Sequence, residues 1–311
     1  MFTREAAKLP GRVSAIVVAH RSADDLSQLL PTLTEVADEI VVVDNGSADA
    51  ELSRLIEGTP KTTLLARPNN DGFAVGVNMG VANSSGEFIL LINPDIRAEA
   101  SALDALIQGI RRHGDAIVGP TVRFPDGSLQ KTRSGWPSLW NLLGEQVLIP
   151  ESATPGRFPA RLWTRWRQYD EERADGPLSG CCLLFSRKVW DLVGPFDERY
   201  FLYWEEVDWQ IRSTKLGFRS WLIPDSVVVH TRAGSTSAHD PRRADMFYRS
   251  FRHFLLKWFS PPMKNVAWSI VWAGQAFRWA FWTVLSHARH GKAEARRAFH
   301  LQAMRTLCEP P

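Results

Sequence analysis

The chain has 311 residues, 44% of them hydrophobic and 23% charged, with three cysteines and a formal net charge of +3. These values are ordinary for a globular protein, exclude a disordered or disulfide-stapled chain, and allow one large α/β domain or two small ones. The charge is uneven: twelve Lys/Arg and three Asp/Glu follow residue 240, against 25 and 31 before it, so an acidic body carries a basic tail.

A basic tail calls for a polyanion, either nucleic acid or an anionic membrane face. Cys181 and Cys182 are adjacent, which suits a structural disulfide poorly, and with Cys308 they form no ligand-type spacing. That points to a reducing compartment. The opening MFTREAAKLPGR has no apolar core of a signal peptide, so the body is expected in the cytoplasm.

In chain order, apolar runs at 14–19, 39–43, 62–66 and 87–92 read as strands. Helical spacing fills 24–35, 48–57, 72–83 and 98–112. Unalternating strands separated by helices predict a mostly parallel sheet covered on both faces. Ligands of such sheets bind beyond the carboxyl ends of the strands. Two carboxylates stand there: Asp44, in Asp44-Asn45-Gly46-Ser47, and Asp95, in Asn93-Pro94-Asp95. Asp44 suits a nucleotide base or ribose, or else a turn that caps the next helix. Asp95 suits Mg2+ or Mn2+ completed by substrate phosphates, or else an Asn-Pro turn. The stretch NDGFAVGVNMG at 70–80 spaces Gly72, Gly76 and Gly80 as in a helix, where glycine is disfavoured. Either a diphosphate approaches the backbone at a helix start, or the helix packs tightly on the sheet.

Residues 135–176 have no clear period and carry Trp136, Trp140, Trp163 and Trp166. They read as a binding loop or lid, or as a poorly ordered insertion. A buried strand is expected at 178–187, a short helix at 188–193, a helix at 204–216 and a strand end at 227–230. The stretch FDERYFLYWEEV at 196–207, followed by Asp208-Trp209, sets five carboxylates among aromatics. Carboxylates held beside aromatics act as bases or metal ligands; the plainer reading is an acidic first helical turn. Residues 205, 208 and 212 share a helix face, so Asp208 and Arg212 form an expected i, i+4 pair. His230 ends its strand, where a lone histidine is more often structural than a ligand.

Residues 266–287 are long enough to span a bilayer. Gln275 and the mid-segment Arg278 weigh against a simple span. Trp268, Trp272, Trp279 and Trp282 favour the headgroup interface. The leading reading is an interfacial helix with a polybasic follow-on. A true span and a helix packed on the protein itself are the others. Tryptophan spacing in an apolar helix fits lipid better than a groove, so no nucleic-acid partner is expected.

DNGS at 44–47, NDGFAVGVNMG at 70–80, NPD at 93–95, LSGCCLLFSRKVWDLVGPFDERYFLYWEEVDW at 178–209 and the histidine at 230 follow in an order that resembles the family 2 inverting glycosyltransferases. The resemblance covers roughly residues 13–260 and is nearest to the bacterial rhamnosyltransferase-like branch, which acts on polyprenyl-diphosphate sugars. It implies a GT-A-type α/β fold: a nucleotide-sugar half at 13–120, an acceptor half at 121–240, and a helical membrane-associating segment at 241–311. It implies a nucleotide-diphosphate sugar donor, with dTDP-rhamnose as the best guess, and a polyprenyl-diphosphate-linked acceptor. Glu206 is the implied general base, beside Glu205. His20, Asp44, Asn45, Gly72, Phe73, Asn78 and Asn93 would line the donor; Trp204, Asp208 and Arg212 would meet the acceptor. Asp95, assisted by His230, would hold Mg2+ or Mn2+. The implied location is the cytoplasmic face of the cell membrane, peripheral or monotopic, and a homodimer through the C-terminal helices is left open. Two features depart from the family pattern: Glu206 stands where Asp is usual, and His20-Arg21 where relatives often have Tyr-Asn. A silent sugar-nucleotide-binding subunit and a nucleotidyltransferase are the competing classes. The latter usually opens with a glycine- and basic-rich phosphate loop, which His20-Arg21-Ser22 is not.

Overall fold

The computed structural model describes residues 11–133, 135–146, 171–172, 174, 176–231, 239–286 and 292–309. The expected strands form as β1 (Val13–Ala19), β2 (Glu39–Asn45), β3 (Thr62–Arg67) and β4 (Phe88–Ile92), all parallel. Their unbroken apolar runs are buried because α1 (Ala23–Val36), α2 (Ala50–Glu57), α3 (Phe73–Ala82) and α4 (Ala100–His113) cover the sheet. β5 (Ile96–Arg97) is a two-residue edge strand.

β6 (Ile117–Arg123) was not legible in sequence, because Gly119-Pro120 reads as a turn. The structure puts that proline at a register shift between Pro120 and Thr121, where the ladder is already broken. β7 (Cys182–Ser186) is antiparallel to β4 and β6, and β8 (Ser220–His230) is parallel to β6. The eight-stranded order is β3-β2-β1-β4-β7-β6-β8-β5. The carboxyl ends of β1, β2, β4 and β8 and the start of β7 therefore share one edge.

One apolar layer lies under α1, α2 and α4; the other lies under α3, α6 (Arg187–Val193) and α7 (Glu205–Lys215). A third cluster belongs to the tail, built by α5 (Leu139–Gln146), α8 (Pro241–Trp258), α9 (Pro261–Ser286) and α10 (Lys292–Cys308). Helix α5 corrects the aperiodic reading of 135–176; Trp163 and Trp166 lie outside the described residues. Asp240 caps α8 by accepting from the Arg242 N–H, and Pro241 fills the first turn, where no N–H is needed.

The tail is docked, not appended. Ser250 Oγ donates to the Leu202 carbonyl, and Trp204 packs on Phe247, Phe251 and Phe254 of α8. Helix α9 runs against α5, α8 and α10, and no described helix is long and apolar enough to cross a membrane. The spanning alternative for 266–287 therefore has no support in the fold.

Candidate active site

Gly76 and Gly80 of α3 serve close packing on the sheet. A Cβ at Gly76 would stand 2.6 Å from Val18 Cγ1, and one at Gly80 2.5 Å from Ile16 Cγ2, so both let the helix lie on β1. Gly72 caps the helix at φ +99° and abuts Phe201, whose carbonyl accepts from the Phe73 N–H at 2.7 Å. The start of α3 is thus fastened to the acidic loop.

Two asparagines expected at the donor have their amides bonded within the protein. Asn45 is buried; its amide donates to Asn70 Oδ1 and the Gly72 carbonyl (3.0 Å each), and its oxygen accepts from the Asp71 N–H. Asn78 grips the Phe196 backbone at both ends, 2.9 Å each way, and donates to Glu198. Both amides are consumed in holding loops, as buried polar groups must be. Asp44 is buried at the end of β2, and its Oδ1 accepts from the N–H and hydroxyl of Ser47, so the turn reading holds for that oxygen. His20, exposed at the end of β1, sets Nδ1 3.0 Å from the Asn45 carbonyl. Asn93 accepts from the Ile96 N–H and donates its own N–H to the Cys181 carbonyl at 2.8 Å.

Asp95 and His230 meet. His230 Nε2 lies 3.1 Å from Asp95 Oδ1, and its Nδ1 lies 3.1 Å from Gln130 Oε1. Thr231 donates to the Asp95 carbonyl through both its N–H and its hydroxyl. Nε2 and the Asp95 carboxylate face one another as a hydrogen-bonded pair, and both are groups that can instead turn a lone pair to a cation. That spacing fits neighbouring ligands of an octahedral ion held at about 2.1 Å. Among the described residues no group of three or more such side chains forms a cage. The pair suits a metal whose remaining sites are filled by water or phosphate.

The catalytic candidates start α7. Tyr203 and Trp204 are both left-handed, at φ 70° and 71°, a costly arrangement for bulky residues. It delivers Glu205 and Glu206 at the helix N-terminus. Glu205 is buried, Glu206 half-buried, and one oxygen of each (Oε2) has no hydrogen-bond partner. Burial pushes both carboxyls above the usual range, and for Glu205 the neighbouring Glu206 charge adds to it. Backbone N–H groups, that of Gly180 among them, partly offset the rise at Glu206. A Cβ at Gly180 would stand 3.3 Å from the Glu206 Cβ and 3.8 Å from Phe73. Cys181, its thiol raised to about 12 by burial, feels the charges of both Asp95 and Glu206. Asp95 and Glu206 therefore flank one short stretch.

Asp208 and Arg212, expected at the acceptor, are bonded within the protein. Asp208 is fully buried and bonded to Arg212 Nε (3.0 Å), Lys257 Nζ (2.8 Å) and Trp258 Nε1 (2.7 Å). Arg212 also donates to the Val193 and Pro195 carbonyls at 2.7 Å. The expected i, i+4 pair is present and structural. Trp204 is set among the α8 aromatics with its Nε1 buried and unpartnered. Four contributors went unread in sequence: Gln130; Gln210, which bonds the Leu178 backbone at both ends; Lys257; and Arg243, which stacks over Tyr203. Of these, only the cations carried a signal, as the basic excess of the tail.

Residues 14–192 match the model of the family described as Glycosyl transferase family 2. The N-acetylglucosaminyl-diphospho-decaprenol L-rhamnosyltransferase of Mycobacterium tuberculosis is 30% identical over 272 residues, 80% of this chain and 87% of the relative. The dTDP-rhamnosyl transferase RfbF of Shigella flexneri is 24% identical over 259 residues, 78% of each. Among solved structures, mannosyltransferase PcManGT from Pyrobaculum calidifontis, in complex with GDP-Man and Mn2+, superposes with a TM-score of 0.59. Its sequence identity is 16%, over 96% of this chain and 86% of that one, a likeness of fold.

Proposed function

The chain belongs to glycosyl transferase family 2, and we propose that it moves L-rhamnose from dTDP-rhamnose to a polyprenyl-diphosphate-linked saccharide, with inversion, in the synthesis of a cell-envelope polysaccharide. It is a glycosyltransferase related to rhamnosyltransferases that act on polyprenyl-linked sugars. The observation behind the mechanism is that Gly180-Cys181 lies beside Glu206 while Cys181 feels the charges of both Glu206 and Asp95, the partner of His230, at the edge where a parallel sheet binds its ligands.

Glu206 takes the proton of the acceptor hydroxyl as that oxygen attacks the anomeric carbon. The bond from that carbon to the diphosphate oxygen breaks, and its electron pair leaves with the nucleotide diphosphate. One displacement inverts the centre, so no enzyme nucleophile is required. A carboxyl lifted by burial is a stronger base than a solvated one. Asp95 and His230 would hold Mg2+ or Mn2+, which when bound neutralises charge growing on the leaving diphosphate. His20, Asp44, Gly72, Phe73 and Asn93 border the donor in this reading; Asn45 and Asn78 support it by fixing loops. Arg243, over Tyr203, would supply a cation from the tail suited to the acceptor's diphosphate. Such an acceptor sits in the inner leaflet, so the enzyme works peripherally at the cytoplasmic face.

The test is transfer and donor hydrolysis with a panel of nucleotide sugars, Mg2+ or Mn2+, and a short-chain polyprenyl-diphosphate-GlcNAc. Transfer from one donor, lost in Glu206→Gln and Asp95→Asn and on chelation, is the expected result. No turnover with any donor, with a nucleotide still bound, would favour a silent subunit instead.

A further inference from the structure

Helix α9 buries Ala267 and Val271 in the tail's core and then, over its second half, turns polar groups inward. Its inward side carries the polar groups: Gln275 Nε2 and Arg278 both donate to Gln146 Oε1 of α5 (3.0 and 2.6 Å), and His300 Nδ1 meets Gln275 Oε1 at 2.7 Å. Gln275 and His300 are buried, and burial holds the imidazole down at about 4 and hence neutral. Helix α5 crosses closely enough that a Cβ at Gly274 would collide with Gln146.

The outward side is apolar. Met263, Val266, Phe277, Phe281 and Val284 recur at helical spacing, and all are exposed, Phe277 at 60% and Val284 at 73%. Trp140 of α5 is exposed as well, at 70%. An ordinary surface helix turns its apolar stripe inward and its polar face to water. A stripe of large side chains facing out marks an interaction surface.

Charge decides the occupant. The tail that carries this stripe holds twelve Lys/Arg against three Asp/Glu, so a second copy would bring like charge against like. Arg296, stacked on Trp282 at 4.3 Å, places one of those cations beside α9. Cations around an apolar stripe suit anionic headgroups over acyl chains. Among the described residues no helix can cross a membrane, so the contact is one of lying on the surface. We propose that the outward stripe of α9 is the face that seats the enzyme on an anionic lipid bilayer. This rests on the lipid-linked acceptor proposed above and specifies how the enzyme reaches it.

The experiment is flotation of the full chain with phosphatidylglycerol–phosphatidylcholine vesicles and with pure phosphatidylcholine vesicles. Wild type is compared with a triple variant, Phe277→Ser, Phe281→Ser and Val284→Ser, and with Leu192→Ser, an exposed apolar residue of the body at 58%. The triple variant should lose about tenfold or more in partitioning to the anionic vesicles, Leu192→Ser should match wild type, and the neutral vesicles should recover less protein. Undiminished binding by the triple variant overturns the proposal. So does a wild-type dimer, by light scattering, that the triple variant dissociates without any change in lipid binding. Transfer to a water-soluble short-chain acceptor separates the two readings. A triple variant that turns over at the wild-type rate yet no longer floats supports the docking face. Absence of transfer by wild type would count against the reaction and leave the flotation result standing.

Discussion

His230 Nε2 lies 3.1 Å from Asp95 Oδ1, although 135 residues of chain separate them. The antiparallel pairing of β5 with β8 sets Ile96 opposite His230 and so brings the two donors together. A metal dependence follows. Asp95→Asn is expected to abolish transfer at any Mn2+ concentration. His230→Ala should raise the Mn2+ needed for half-maximal rate by about ten- to a hundredfold, the usual cost of weakening a site's ligand support. Rate against metal concentration checks both.

Glu206 must be ionised to accept a proton, and burial raises its pKa. Activity should therefore fall on the acid side at a pH above the ordinary carboxylate value of 4.5. Glu206→Gln should lower kcat by about 10²- to 10⁴-fold with little change in donor affinity. A pH–rate profile measured beside nucleotide titration tests this, and a variant retaining a tenth of wild-type kcat would remove Glu206 as the base.

Glu205 makes a stability prediction of definite sign. Its pKa is raised in the folded state, so that state binds the proton more tightly than the unfolded chain does. The cost of ionising it is absent below the unfolded value near 4.5, grows as pH rises, and is complete above the folded value. Glu205→Gln should therefore melt above wild type at pH 8 and alike at acid pH. The gain at pH 8 is about 1.4 kcal/mol for every tenfold by which folding tightens proton binding at this carboxyl. Melting curves at pH 4 and pH 8 give the comparison.

Gly72 is required by conformation and by contact. Gly72→Ala would place a Cβ 2.5 Å from the Phe201 carbonyl at a φ of +99°. The expected loss is about 2–4 kcal/mol, with the acidic loop displaced and kcat reduced. Denaturant melts and turnover of the same sample test the coupling; a fully active, stable variant would break it.

Lys257 ties the tail to α7 and the acidic loop by pairing with both Asp208 and Asp197 at 2.8 Å. Lys257→Met should cost about 2 kcal/mol, less than a fully buried pair because Arg212 and Trp258 still serve Asp208. It should also slow transfer by loosening α7. Asp197 is held well below the ordinary carboxylate range, chiefly by Arg199 and then by Lys257. That contribution is present above the unfolded value near 3.8 and is lost as pH falls below it, so acid should narrow the gap between variant and wild type.

The first four strands, their helices and the carboxylates Asp44, Asp95, Glu205 and Glu206 were legible in sequence. Each depends on periodicity or strand-end chemistry carried by neighbouring residues. The same local view predicted the Asp208–Arg212 pair, because four residues make one helical turn. It could not foresee that Asn45 and Asn78 spend their amides on distant backbone, or that Asp208 is sealed under Trp258. Those partners are 25 to 120 residues away. Nor could it tell which side of α9 faces out. An apolar helix with a few polar groups reads alike from either side until α5 and α10 claim one of them. Order of elements, turn signals and charge reside in adjacent residues and were settled by the sequence. The meeting of Asp95 with His230, the burial that lifts the glutamates and the outward stripe of α9 were decided only by the closed chain, where burial and long-range contact assign each side chain its partners.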